Sequence, residues 1–256
     1  MDSKRPLILI SNDDGYHANG IKTLVSFLSD FAEIVVCAPE AARSGFSCAF
    51  SATDHLLLKQ RHNIPDCKLW SCTGTPVDCV KIAVSQLLDG RTPDLVLGGI
   101  NHGDNSSVNN HYSGTMGIAR EGCLKNIPSI AFSSCDYDTH ADFSYLRDYV
   151  RKIVKRVLSE GLPKGVCLNV NFPKTEDIKG VKMCRMGFGS WINEVVRCEH
   201  PRGFEYYWMV GEYVNNEPSA PDTDQFALAN GYVSITPTRI DVTDYDLLNK
   251  MTDWNS

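Results

Sequence analysis

The chain alternates short, wholly apolar runs with longer stretches in which apolar residues recur every three or four positions. Leu7-Ile8-Leu9-Ile10 is the first such run and ends at Asn12-Asp13-Asp14-Gly15. It predicts a strand buried on both faces. From Gly20 to Leu28 the apolar positions Ile21, Leu24, Val25 and Leu28 fall at helical spacing. Glu33-Ile34-Val35-Val36-Cys37-Ala38-Pro39 is then a second buried strand, stopped by proline. Strand, helix and strand at this spacing form a βαβ unit, so the predicted sheet is parallel.

The alternation recurs downstream. Thr75-Pro76-Val77-Asp78 opens a helix that runs to about Leu88, with proline in the first turn where its missing N–H does no harm. Pro93 to Ile100 and Ile127 to Ser133 are further strands, separated by a helix from near Met116 to Cys123 that follows Ser113-Gly114-Thr115. Tyr145 to Glu160 predicts an amphipathic helix and Val166 to Val170 a strand. After about Val181 the pattern becomes alternating and aromatic-rich. Val181 to Met186 and Phe204 to Val210 predict β-ribbon, Tyr232 to Thr236 a strand, and Leu247 to Trp254 a terminal helix. The expected fold class is α/β: a Rossmann-like parallel sheet core flanked by helices over about 1–180, with a β-rich C-terminal extension over about 181–256, in one domain.

Bulk properties narrow the function. In 256 residues, 43% hydrophobic and 22% charged content is that of an ordinary globular protein. A net charge of -6 argues against binding a nucleic-acid polymer and leaves small phosphorylated molecules open. The opening apolar run is too short for a signal-peptide core or a membrane span, so the protein is expected in the cytoplasm, off the membrane. Ten scattered cysteines with no C-x-x-C pair read as buried reduced thiols rather than a disulfide framework or a thiolate zinc site.

In an open parallel sheet, ligands bind beyond the carboxyl ends of the strands. Three such ends carry unusual polar groups: Asn12-Asp13-Asp14-Gly15, the Arg43-Ser44-Gly45 loop, and Gly99-Ile100-Asn101-His102-Gly103-Asp104-Asn105. Adjacent carboxylates repel unless a cation or proton intervenes. Asp13 and Asp14, with the neutral oxygens of Ser44 and Asn101, form an all-oxygen set suited to one Mg²⁺, Mn²⁺ or Ca²⁺. One of the two carboxylates can double as general base toward a water. Asn-Asp-Asp-Gly also reads as a plain turn. Ser113-Gly114-Thr115 reads either as a phosphate site at a helix start or as an ordinary N-cap, and Gly74-Thr75-Pro76 as a structural N-cap. His102 and His111 flank the site and are expected to line it or pack against it.

Taken in order, Ile10 to Gly15, Arg43-Ser44-Gly45, Thr73 to Val80, Gly99-Ile100-Asn101, Tyr112 to Thr115, Asp222-Thr223-Asp224 and Gly231 to Pro237 resemble the SurE family of survival-protein nucleotidases. The resemblance implies a Rossmann-like, divalent-metal-dependent 5′/3′-nucleotidase acting on nucleoside monophosphates. It puts the metal on Asp13, Asp14, Ser44 and Asn101, and phosphate contacts on Asn105, Ser113, Gly114 and Thr115. It also implies a homodimer or homotetramer built by exchange of C-terminal elements. The chain departs from the family pattern at Asn19, at His102 and Asp104 where alanine and proline are typical, and at Asn109-Asn110-His111. These departures bear on substrate preference.

Two other classes compete. An aspartyl-phosphate phosphatase with Asp13 as nucleophile resembles D-x-D-x-T after its first strand, whereas Asp13-Asp14-Gly15 is followed by Tyr16 and no suitable threonine. A non-catalytic nucleotide-binding module lacks the G-x-G-x-x-G it would need after the first strand.

Overall fold

β1 (Leu7–Ser11) is buried at every residue because helices cover both faces of the sheet it centres. Its alternate side chains separate accordingly: Ile8 and Ile10 point to one layer, Leu7 and Leu9 to the other. The structure is a computed structural model and describes residues 5–251 and Trp254. After β1 come α1 (Asn19–Leu28), β2 (Glu33–Pro39), the short strands β3 (Leu58–Arg61) and β4 (Lys68–Cys72), and α2 (Pro76–Ile82), whose last turn widens to a π-helical Ala83–Leu87. The chain continues through β5 (Leu95–His102), α3 (Asn109–Tyr112), α4 (Gly114–Leu124), β6 (Ser129–Ser134), a 3₁₀ turn at Ser144–Leu146, α5 (Arg147–Glu160) and β7 (Val166–Phe172). The last part holds β8 (Val181–Met183), β9 (Gly189–Ile192), β10 (Val195–Glu199), β11 (Glu205–Met209), β12 (Glu212–Asn215), α6 (Asp224–Ala229), β13 (Val233–Arg239) and α7 (Tyr245–Lys250).

One sheet of nine strands runs in the order β3-β4-β2-β1-β5-β6-β7-β13-β8. Buried residues of α1 and α5 pack on one face with Ile8, Ile10, Val36 and Phe132, while Val80 of α2 and Ile118 of α4 pack on the other. Thr75 starts α2 as expected of a structural cap, its side chain accepting from the Asp78 N–H while Asp78 accepts from the Thr75 N–H.

The structure corrects the sequence reading at the margins. The sheet is parallel from β4 to β7, but β3 is antiparallel to β4 and β13 is antiparallel to β7. Val181–Met183, expected as ribbon, pairs with β13 inside the main sheet, so the core draws on residues beyond 180. The true ribbon is β9 to β12: β9 pairs with β12 at its base and β10 with β11 at its tip. The terminal helix ends at Lys250, and residues 252 and 253 of its expected span lie outside the described residues.

All ten cysteines are free thiols; Cys37, Cys72, Cys79, Cys123, Cys167 and Cys184 are buried, but Cys48 is exposed. No helix among the described residues is long and apolar enough to cross a membrane.

Candidate active site

From β1 the chain crosses to β2 on one side, and β5 lies on the other, so the sheet's order reverses beside the end of β1. That crevice is where an open α/β sheet binds ligands. Asp13 and Asp14 leave β1 directly into it, and Asp13 is only 3% exposed. Neither forms a salt bridge among the described residues. Burial pushes both carboxyls from 3.8 up to about 6, and the neighbouring Asp14 charge adds to the effect on Asp13.

The start of α4 stands against this pair. Thr115 donates its hydroxyl to Asp13 Oδ1. Gly114 permits the approach, since a Cβ there would lie 2.9 Å from both Asp13 Cβ and Asp13 Oδ2. Ser113 caps the helix, its Oγ accepting from the Met116 N–H at 3.0 Å. Helix geometry leaves the N–H groups of Gly114 and Thr115 without intrahelical acceptors, which makes this turn a place for negative charge.

The Ser44 loop is tied to the Asp13 loop and to α3. Arg43 N–H donates to the Asp13 carbonyl at 2.6 Å, and Ser47 N–H donates to the Tyr112 carbonyl at 3.0 Å. Ser47 Oγ also donates to the His111 carbonyl at 2.5 Å.

Asn101 is aimed by an irregularity in β5, whose register with β6 shifts between Gly98 and Asn101. Asn101 Nδ2 donates to the Gly103 carbonyl at 2.7 Å, leaving Oδ1 as the available ligand atom. The next residue's N–H, that of His102, donates to Asp14 Oδ2 at 3.4 Å.

Asn105 is fixed by a buried ladder of amides. Its N–H donates to Asn171 Oδ1 and its carbonyl accepts from Asn169 Nδ2, each at 2.7 Å. Asn171 Nδ2 in turn donates to Asn169 Oδ1 at 2.9 Å. The Asn105 amide meets Ser133 Oγ at 2.7 Å. A hydroxyl both donates and accepts, so either end of that amide can face the cleft.

A cleft of about 200 Å³ brings together Asp13, Ser44, Asn101, Asn105 and Ser113 from the expected set. Asp14 and Thr115 are not among its lining residues, and Gly114 borders it through Asp13. Thr115 is fully buried, and both its hydroxyl and its backbone N–H face the Asp13 carboxylate rather than the cleft. His102 lines the cleft, its Nδ1 meeting the Asp138 carbonyl at 2.8 Å and its ring packing 4.9 Å from that of Phe143. His111 is exposed and does not line it.

The sequence reading did not single out Asn169, Asn171 and Ser133, which hold Asn105, nor Tyr137 and Trp191, which line the cleft. The signal for the first group was Asn169-Val170-Asn171, polar side chains on one face of an otherwise apolar strand.

A divalent cation fits the donors present. Buried Asp13 and half-buried Asp14 have no basic partner among the described residues, and Asn101 and Ser44 line the cleft with Asp13. Among the described residues, no three His, Cys, Asp or Glu side chains gather into a metal-holding group, so neutral oxygens must complete the set.

The family described as survival protein SurE matches residues 8–193. A 5′-nucleotidase SurE from Phocaeicola vulgatus is 52% identical over 255 residues, spanning 100% of this chain and 99% of the relative. Another from Bacteroides fragilis is 51% identical over 257 residues, spanning 99% of each. The crystal structure of the SurE protein from Aquifex aeolicus aligns with a TM-score of 0.83 at 36% identity, covering 98% of this chain and 100% of that one.

Proposed function

Since the chain belongs to the SurE family, we propose that it is a divalent-metal-dependent phosphomonoesterase that hydrolyses nucleoside monophosphates, at the 5′ or 3′ position, to nucleoside and phosphate. The observation that carries this reading is the adjacent Asp13 and Asp14 at the sheet's crossover point, without a basic partner among the described residues, with Asp13 buried and faced by the start of α4.

Asp13, Asp14, Asn101 Oδ1 and Ser44 Oγ would hold one Mg²⁺ or Mn²⁺, with Ca²⁺ able to occupy the same oxygen set. When bound, such a cation supplies positive charge to the phosphoryl oxygens and lowers the pKa of water.

The chain's own groups account for the rest. The Gly114 N–H, the Ser113 hydroxyl and the Asn105 amide bind the phosphate. Thr115 fixes the Asp13 carboxylate, and the Asn169–Asn171 ladder fixes Asn105. A carboxylate oxygen of Asp13 or Asp14 takes the proton from the attacking water.

Phosphate release from a panel of 5′- and 3′-nucleoside monophosphates tests the reading. Turnover of nucleotides supports it, and binding without release would favour a nucleotide-binding module instead.

Self-association through the C-terminal elements belongs to the same proposal. The ribbon exposes Trp208 (60%) and Met209 (73%), and α7 has no buried residue, an arrangement suited to exchange within a homodimer or homotetramer. Ten unpaired thiols support a cytoplasmic location.

A further inference from the structure

We propose that Asp104 is a specificity-determining residue of the cleft, accepting hydrogen bonds from the sugar hydroxyls and so favouring ribonucleotides over 2′-deoxyribonucleotides. This inference rests on the phosphomonoesterase reading above.

Asp104 is half-buried and lines the cleft beside Asn105. Among the described residues its hydrogen-bond partners are all neutral. Ser106 donates both its N–H, at 3.2 Å, and its hydroxyl to Asp104 Oδ1, and Gln225 Nε2 approaches the same oxygen at 3.5 Å. Among the described residues, Oδ2 accepts only from the Tyr137 hydroxyl, at 3.2 Å. A carboxylate oxygen has room for a second donor, so Oδ2 keeps acceptor capacity.

The group is also held in place. The Tyr137 ring lies against Gly103, where a Cβ would come within 2.6 Å of a ring carbon. Gly103 has φ +101°, so glycine serves both the turn and the close approach. An oriented acceptor loses less freedom on binding than a mobile one.

Charge decides what it faces. A carboxylate directed at a phosphate dianion would repel it, so an acceptor in this cleft must meet donors. A nucleoside monophosphate offers two kinds, sugar hydroxyls and base N–H groups. Asp104 precedes Asn105, which holds the phosphate end, and the sugar is the part of a nucleotide bonded to the phosphate. The base extends one ring farther, and Trp191 and Tyr112 supply aromatic surface to the same cleft. Carboxylates elsewhere recognise ribose hydroxyls in this way.

The test compares kcat/KM for 5′-AMP and 2′-deoxy-5′-AMP in the wild type, Asp104→Asn and Asp104→Ala, with p-nitrophenyl phosphate as a sugar-free control. The wild type is expected to favour the ribonucleotide by about tenfold or more, the range of a hydrogen bond to a charged group. In Asp104→Ala the ratio falls toward one, mainly through KM for 5′-AMP, and Asp104→Asn falls between because it keeps a neutral acceptor. A ratio near one in the wild type, or an unchanged ratio in Asp104→Ala, would overturn the inference. So would a variant that reorders AMP, GMP and CMP while keeping the ribose ratio. Release from p-nitrophenyl phosphate without ribose preference overturns this inference alone. No release from any ester overturns the phosphomonoesterase reading and this inference with it.

Discussion

Thr115 donates its hydroxyl to Asp13 Oδ1 across 102 residues of chain, joining the first turn of α4 to the loop that leaves β1. The bond is fully buried, so removing the hydroxyl takes one donor from a carboxylate otherwise held by backbone N–H groups. It also leaves the carboxylate one fixed orientation. A threonine beside an N-cap therefore serves the acid rather than the helix.

Thr115→Val keeps the shape and removes the donor. Its expected cost is about 1.5–3 kcal/mol of stability, the worth of a hydrogen bond to a charged group. Activity on 5′-AMP should fall about tenfold or more, with weaker apparent Mn²⁺ affinity. Urea unfolding and a metal titration of activity measure both effects; wild-type values in each would contradict the role given to Thr115.

Gly114→Ala sets two effects against each other. Alanine favours a helix over glycine by about 1 kcal/mol. Its Cβ, however, would sit 2.9 Å from the Asp13 carboxylate, which must then move. The expected outcome is a folded protein of near wild-type melting temperature with activity reduced by about tenfold or more. Full activity would show that Asp13 has room to move without loss.

Without metal, the Asp13 carboxyl titrates at about 6 in the folded chain against 3.8 unfolded. Below pH 3.8 both states hold the proton, and this stabilisation is fully present. Between 3.8 and about 6 the unfolded chain ionises first, so stability falls as pH rises, and above about 6 the loss is complete. The loss is on the order of 3 kcal/mol at most, shared with the coupled Asp14. In EDTA, the wild type should lose stability relative to Asp13→Asn between pH 4 and 6.5, and Mn²⁺ at pH 7 should restore it. Parallel pH profiles for the two proteins would contradict a buried, unneutralised Asp13.

Trp208→Glu with Met209→Glu places charge at two exposed positions of β11 in the ribbon. Size-exclusion chromatography with light scattering should give a dimer or tetramer for the wild type and a smaller species for the double variant. A monomeric wild type would remove the case for C-terminal exchange.

Much of the fold was legible because its centre is buried on both faces. β1 is buried throughout and β2 at all but its first residue, and such strands read as unbroken apolar runs. The edge was not legible. Leu58-Lys59-Gln60-Arg61 has no buried residue, and β4 buries only Leu69, Ser71 and Cys72, so neither carries a strong pattern. Val181–Met183 was readable as a strand, but its partner β13 lies far downstream, and local alternation holds no information on pairing partners.

The site divides in the same way. Asp13, Asp14, Ser44 and Asn101 stood out because polar residues at the ends of apolar strands need a reason to be there. The supporting contacts did not. Thr115 reads as a phosphate donor until the fold places Asp13 against it, and the service of Asn169 and Asn171 to Asn105 depends on β7 lying near the loop after β5.

Phosphate release from 5′-AMP by the wild type and by Asp13→Asn, each in EDTA and in Mn²⁺, tests the central claim most directly. The account predicts release only by the wild type and only with metal, with the variant reduced by about a hundredfold or more, the scale of losing a group that acts on the transferring phosphoryl. Release by the wild type in EDTA, or release by Asp13→Asn at the wild-type rate, would contradict it.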